Sequence, residues 1–229
     1  MPVTTTIEND VALIRMDDGK ANAINFEMLA ALNEALDAAE AEAKAIVLAG
    51  REGRFSGGFD LKAFASLGAD GVYKLLDAGA ELLLRLYGGP LPVVAACTGH
   101  SIAMGVFILN ACDTRVGAAG EYKIGANEAI TGMYLPIFAM ELARDRLSPQ
   151  HLTRAMVQGF IYNPEGAVEA GYSTCWLRRT KSRPRPSLSQ ASWRCSPARP
   201  MRGTRSPSAK RRSTGSGPVW VRIIRFEVG

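Results

Sequence analysis

Two short turns carry the residue types best suited to chemistry. "GRFSGGFDLKAF", Gly53 to Phe64, sets Gly57 and Gly58 after the apolar run "AIVLAG" and before a helix-like segment. "TGHSIAMGVF", Thr98 to Phe107, repeats the arrangement with Gly99, the small Ala103 and Gly105, between the apolar "PVVAAC" and another helix start. Glycine admits backbone conformations closed to other residues and lets a ligand reach the backbone. An N–H at the start of a helix is a natural donor to an anion. Two such donors aimed at one oxygen make an oxyanion hole, worth about 2.7–4 kcal/mol per donor in acyl chemistry. From spacing alone, tight strand-to-helix turns that need glycine for purely steric reasons explain both stretches at least as well. Neither turn is a GxGxxG or Walker loop, which disfavours nucleotide phosphate binding. One acid stands near a third glycine-bounded turn: Glu128 in "IGANEAITGM". Taken alone it reads as a loop carboxylate.

The elements that must hold these turns are legible from periodicity. "VALIRM", Val11 to Met16, reads as a strand, and Asp17 to Ala23 as a turn and loop. A helix is expected from Asn25, its N-cap, with Ile24, Met28, Leu29, Leu32 and Leu36 on one face. Ala45–Leu48 and Pro92–Cys97 are buried strands, separated by a helix carrying Val72, Leu75, Leu76, Gly79, Leu82, Leu83 and Leu86 on its apolar face. "MGVFILNAC" is apolar almost all round, the mark of a buried helix. "TRVGA" and "YKIG" are short strands. "RLSPQHLTRAMVQG" has Ser148 as N-cap and Pro149 at the first helical position; "NPEGAVEAG" repeats this with Asn163, Pro164 and Gly171 as stop. Alternating strands and helices predict an α/β layered fold.

Composition sets the limits. The protein has 229 residues, 47% of them hydrophobic, enough for one domain with a real core. The opening "MPVTTTIEND" has no basic and apolar leader pattern. No apolar run reaches the ~18 residues of a membrane span. Four cysteines without CxxC spacing and only two histidines suggest neither a disulfide framework nor a metal site. The expectation is a cytoplasmic, reduced protein without a metal. The net charge of +5 joins two unlike pieces. Residues 1–172 hold 13 Lys and Arg against 21 Asp and Glu; residues 173–229 hold 14 against one. From Ser173 on, Arg, Ser and Pro dominate without helical or strand period. Three readings stand: a disordered basic tail for a polyanion, a solvated linker, or text of a GC-rich gene read out of frame. The abruptness of the change favours the last, and nucleic-acid binding is not favoured. The expected division is 1–172 as the folded domain and 173–229 as the tail.

Taken together and in order, "DDGKANAINFEMLAALNEAL", "FSGGFDLK", "ACTGHSIAMGVFILNACD" and "YKIGANEAITGMYLP" resemble the crotonase, or enoyl-CoA hydratase/isomerase, superfamily. The resemblance covers about residues 5–172 and stops where the composition breaks. It implies a spiral of repeated ββα units binding an acyl-CoA. It places the oxyanion donors on the backbone N–H groups of Phe59 and Met104, with Gly57 and Gly58 allowing the first turn. Asp60, Leu61 and Lys62 fall beside the CoA moiety. Hydratases of the family use two glutamates. Here the first of those positions is Phe107 and the second is Glu128. A single carboxylate can still carry a proton between two carbons, and "IGANEAITGM" is similar to the corresponding stretch of Δ3,Δ2-enoyl-CoA isomerases. The resemblance therefore implies isomerisation of a 3-enoyl-CoA in fatty-acid metabolism, with hydration, or a fold kept without turnover, as alternatives. Asn127 is expected to touch substrate or orient Glu128. Phe107, Ile130 and Met133 are expected to form an apolar pocket that makes Glu128 a better base. Coenzyme A enters only as part of the substrate, and a homotrimer or hexamer is implied.

Overall fold

The computed structural model describes residues 1–177 and 194–195. β1 (Val3–Glu8) and β2 (Val11–Met16) form an antiparallel hairpin. Its two-residue connection, Asn9-Asp10, has both φ angles positive (51° and 65°), as a primed hairpin turn requires. α1 (Phe26–Glu42) follows, capped by Asn25, whose side chain accepts the Met28 N–H. One unit then repeats. β3 (Ala45–Ala49) is followed by β4 (Gly53–Ser56), α2 (Leu61–Ser66) and α3 (Ala69–Gly88). β5 (Val93–Cys97) is followed by β6 (Gly99–Ile102) and α4 (Met104–Ala111). β7 (Thr114–Ala118) is followed by β8 (Ile124–Gly125), α5 (Glu128–Thr131) and α6 (Ile137–Arg146). α7 (Pro149–Leu152), a π turn over Thr153–Val157, α8 (Pro164–Ala170), β9 (Cys175–Leu177) and β10 (Arg194–Cys195) complete the described elements.

The repeat explains the two sheets. In each unit the first strand enters a seven-stranded sheet of order β1-β2-β3-β5-β7-β9-β10, and the second enters a three-stranded sheet of order β4-β6-β8. The small sheet is parallel throughout, and so is the large one from β2 to β9. Side chains on β3 alternate between two cores: Ile46 and Leu48 pack with the helices, Val47 and Ala49 on the other face. Strands buried on both faces read as continuous apolar runs, which is how β3 and β5 are written. The ββα architecture expected from the resemblance is the one observed.

Local expectations meet the structure unevenly. Asn163 accepts the Gly166 N–H, Pro164 opens α8, and Gly171 ends it at φ 96°. Ser148 precedes Pro149 as expected but makes no side-chain cap, and the helix expected beyond it is one α turn and then a π turn. "GHSI" is a strand, not part of a tight turn, because it pairs with β4 and β8. The fold continues past the composition break: Thr174 Oγ donates to Arg115 O (2.8 Å), and β9 pairs parallel with β7. The expectation of a disordered tail lies, beyond these strands, outside the described residues. Among the described residues no helix is long and apolar enough to cross a membrane.

Candidate active site

The three strands of the small sheet run in one direction and end side by side. Ser56 is in register with Ser101, Ser101 with Ile124, and Ile102 with Gly125. Parallel neighbours lie about 4.8 Å apart, and ligands of open parallel sheets bind beyond the carboxyl ends of the strands. Phe59 stands three residues past the end of β4, Met104 two past β6, and Glu128 three past β8. The topology alone thus delivers two backbone amides and one acid to a common edge.

The first turn crosses the second closely. Gly58 adopts φ 93°. A Cβ there would meet Ala103 Cβ at 2.8 Å, Ile102 O at 3.1 Å and Met104 N at 3.3 Å. Only a residue without a side chain lets the two turns approach this far. Phe59 bridges Ile24 in parallel register: Ile24 N–H donates to Gly58 O (2.8 Å) and Asp60 N–H to Ile24 O (2.9 Å). In such a bridge the central residue's own N–H points away from its partner, so the Phe59 amide faces the opposite side. Met104 is the first residue of α4, where a backbone N–H has no partner inside the helix. Neither N–H has a backbone acceptor among the described residues. Both side chains reach Gly79 of α3, where an added Cβ would lie 2.7 Å from Phe59 Cζ and 3.2 Å from Met104 Cε.

Ala103, just before the second amide, is strained. Its φ of 52° and ψ of −123° belong to a region that suits glycine. Its N–H donates to Gly125 O (3.1 Å) and its carbonyl accepts the Val106 N–H (3.0 Å), so both sides hold it there. Such backbone strain costs roughly 1–3 kcal/mol, whereas glycine loses about 0.5–1 kcal/mol of unfolded-state entropy. Ala103→Gly is therefore expected to stabilise the fold by about 1 kcal/mol in chemical denaturation.

Glu128 opens α5 and is 7% exposed. Its Oε2 has no partner among the described residues. Burial pushes the carboxyl above the ordinary glutamate range, with the nearby backbone N–H of the same residue acting the other way. Tyr172, fully buried, lies near enough for the two charges to be felt, and burial drives its phenol well above the ordinary tyrosine range. Asn127 is half-buried and caps α5 through its backbone carbonyl, which accepts from Ile130 and Thr131 N–H, with no side-chain cap. Phe107 is buried in the core beneath α4.

Other expected residues fall differently. Asp60 caps α2, accepting Lys62 N–H at 2.9 Å and Ala63 N–H at 3.3 Å. Leu61 and Lys62 are exposed at the start of that helix. Ile130 and Met133, expected to enclose Glu128, are 66% and 37% exposed: α5 is a single turn whose far side faces outward. Among the described residues no group of three His, Cys, Asp or Glu side chains is placed to hold a metal. Sequence reading passes over Asn22, fully buried beside the first turn; three of its hydrogen bonds are with residues more than thirty positions away, and no local signal marks it.

Comparison with known proteins shows the family. Residues 6–174 match the family described as enoyl-CoA hydratase/isomerase, ending two residues past the composition break. The protein is similar to the enoyl-CoA hydratase structure from Mycobacterium ulcerans Agy99, with 46% identity, coverage of 76% on both sides and a TM-score of 0.73. It is similar to the apo enoyl-CoA isomerase structure from Mycobacterium tuberculosis, with 42% identity, coverage of 75% on both sides and a TM-score of 0.71. It is 28% identical to human mitochondrial enoyl-CoA delta isomerase 1 over 165 residues, 70% of the present sequence and 55% of that protein. The chain spans about half the length of the curated relatives it matches.

Proposed function

We propose, from the premise that the chain belongs to the enoyl-CoA hydratase/isomerase family, that it moves the double bond of a 3-enoyl-CoA to the 2-position. One observation carries the choice of reaction. Glu128 is the one buried acid among the described residues; by the resemblance to the family, Phe107, with no proton to give, stands where hydratases carry a second acid. The thioester oxygen accepts hydrogen bonds from the Phe59 and Met104 amides. Glu128 removes a proton from C2, and the electrons move onto the thioester oxygen as a dienolate conjugated through C3 and C4. Collapse of that dienolate places the double bond between C2 and C3 while Glu128 returns the proton at C4. Atoms balance, and neither water nor a resident cofactor is consumed. A positioned carboxylate in this role contributes about 10²–10⁴-fold. Its raised proton affinity matches it better to carbon acids than an exposed glutamate.

Likeness to the Mycobacterium ulcerans hydratase favours a second reading, addition of water across a 2-enoyl-CoA. Mass spectrometry for the water adduct, with absorbance of the conjugated 2-enoyl thioester for migration, separates them. The isomerase reading expects 3-hexenoyl-CoA to become 2-hexenoyl-CoA at unchanged mass, and crotonyl-CoA to remain unhydrated. Rapid conversion of crotonyl-CoA to its water adduct, without migration of the 3-enoyl double bond, would overturn it.

A further inference from the structure

The turn that ends in Phe59 is held by a loop far away in sequence. Asn22 is fully buried, with φ 51°. Its Nδ2 donates to Met16 O (2.9 Å), Phe55 O (3.1 Å) and Arg54 O (3.3 Å). Its Oδ1 accepts the Asp18 N–H (3.0 Å), and its own N–H donates to Asp18 Oδ1 (2.9 Å). Its backbone carbonyl accepts the Ser56 hydroxyl (2.8 Å), and Ser56 Oγ in turn accepts the Gly58 N–H (3.2 Å). On either side, Gly57 N–H donates to Ala21 O and Ile24 N–H to Gly58 O, both at 2.8 Å. The path from the Asn22 carboxamide to the Phe59 peptide therefore runs through consecutive hydrogen-bonded residues.

The residue type fits this duty closely. The position needs a positive φ, which asparagine tolerates better than most side chains. It also needs N–H donors for the carbonyls of β2 and β4, and an acceptor for the Asp18 N–H. Glycine meets the first demand and offers no donor. Aspartate meets the first and the third but has no N–H. Without the donors the Phe55 carbonyl would lose its bond from Asn22, and Arg54 O would keep the longer bond from the Thr98 hydroxyl (3.4 Å), which favours rotation of those peptides toward other partners.

We infer that Asn22 is a positioning residue for the reaction: its carboxamide fixes the end of β4 and so aims the Phe59 N–H at the thioester oxygen. This rests on the functional reading above. Its effect falls on the transition state, where the oxygen carries charge, more than on binding of the thioester.

The test reads carbonyl polarisation without turnover. Cinnamoyl-CoA has a conjugated thioester whose absorption moves to longer wavelength when its oxygen accepts strong hydrogen bonds. The wild-type protein is expected to shift it. Asn22→Gly, which keeps the backbone conformation and deletes the carboxamide, is expected to lose most of the shift. It should also lower kcat for 3-hexenoyl-CoA by roughly 10- to 100-fold with KM nearly constant. Ser56→Ala cuts the same path more gently and carries the test if the glycine variant does not fold; a partial loss of shift is expected. A full shift and wild-type kcat in a folded Asn22→Gly or in Ser56→Ala would overturn the positioning role while leaving the functional reading intact. No shift in the wild-type protein would overturn the oxyanion reading and this inference with it.

Discussion

Glu128→Gln is expected to lower kcat for double-bond migration by about 10²–10⁴-fold, with KM nearly unchanged, in steady-state assays of 3-hexenoyl-CoA. Glutamine keeps the shape and removes the base, so the loss belongs to proton transfer and not to binding. The same substitution is expected to raise the melting temperature at pH 7. Glu128 is buried and its folded-state proton affinity lies above the ordinary value. For a carboxyl shifted upward, the folded state binds the proton more tightly than the unfolded state does. Its contribution is therefore most favourable below the unfolded pKa and is lost as pH rises through the folded one. At neutral pH an ionised, partly unpartnered carboxylate opposes folding, and an amide does so less. The stability difference between variant and wild type should shrink toward zero as pH falls below the ordinary glutamate range. The activity of the wild type should decline on its acid side at a pH above that range, because protonated Glu128 is no base. An unchanged melting temperature at both pH values would place the carboxylate in solvent.

Gly58→Ala is the second large effect. The position sits at φ 93°, and its new Cβ would press on Ala103 Cβ and Ile102 O while standing 3.3 Å from Met104 N. The backbone cost is roughly 1–3 kcal/mol of stability. The catalytic cost is larger, because relief of the contact must push the two turns apart and both donors with them. Loss of even one such donor lowers kcat about 10²–10³-fold. Gly57→Ala is the control. Gly57 is exposed, its φ is not positive, and its added Cβ would meet only Ala21, at 3.3 Å or more. Its activity should stay within a few-fold of wild type. Equal losses in both variants would mean that crowding between the turns does not set donor geometry.

The contrast between those two glycines marks where sequence reading ends. "SGGF" declares a turn, but only the close approach of the turns that follow β4 and β6 tells which glycine is indispensable. Caps written in local chemistry are legible: Asn25, Asn163 with Pro164, and Gly171 each act within four residues of themselves. Ser148 is written in the same grammar and makes no bond, because the helix after it passes into a π turn. The buried strands β3 and β5 are legible as apolar runs, whereas the polar "VTTTIE" of β1 is a strand only because β2 pairs with it. At the site, the resemblance supplies Phe59, Met104 and Glu128, and the topology of the small sheet places all three just past the ends of its strands. The expected enclosure by Ile130 and Met133 fails because exposure on a one-turn helix depends on what lies beyond it. Asn22 is invisible because every partner of its carboxamide donors is a backbone carbonyl, which no pattern of side chains advertises.

The most direct measurement follows a label. With 3-hexenoyl-CoA deuterated at C2, a single carboxylate working on one face of the dienolate should return part of the deuterium to C4 of the 2-hexenoyl product, read by mass spectrometry and NMR. Isomerised product whose C4 hydrogen comes entirely from solvent, at every substrate concentration and in the shortest reaction times, would contradict a lone Glu128 carrying the proton between the two carbons.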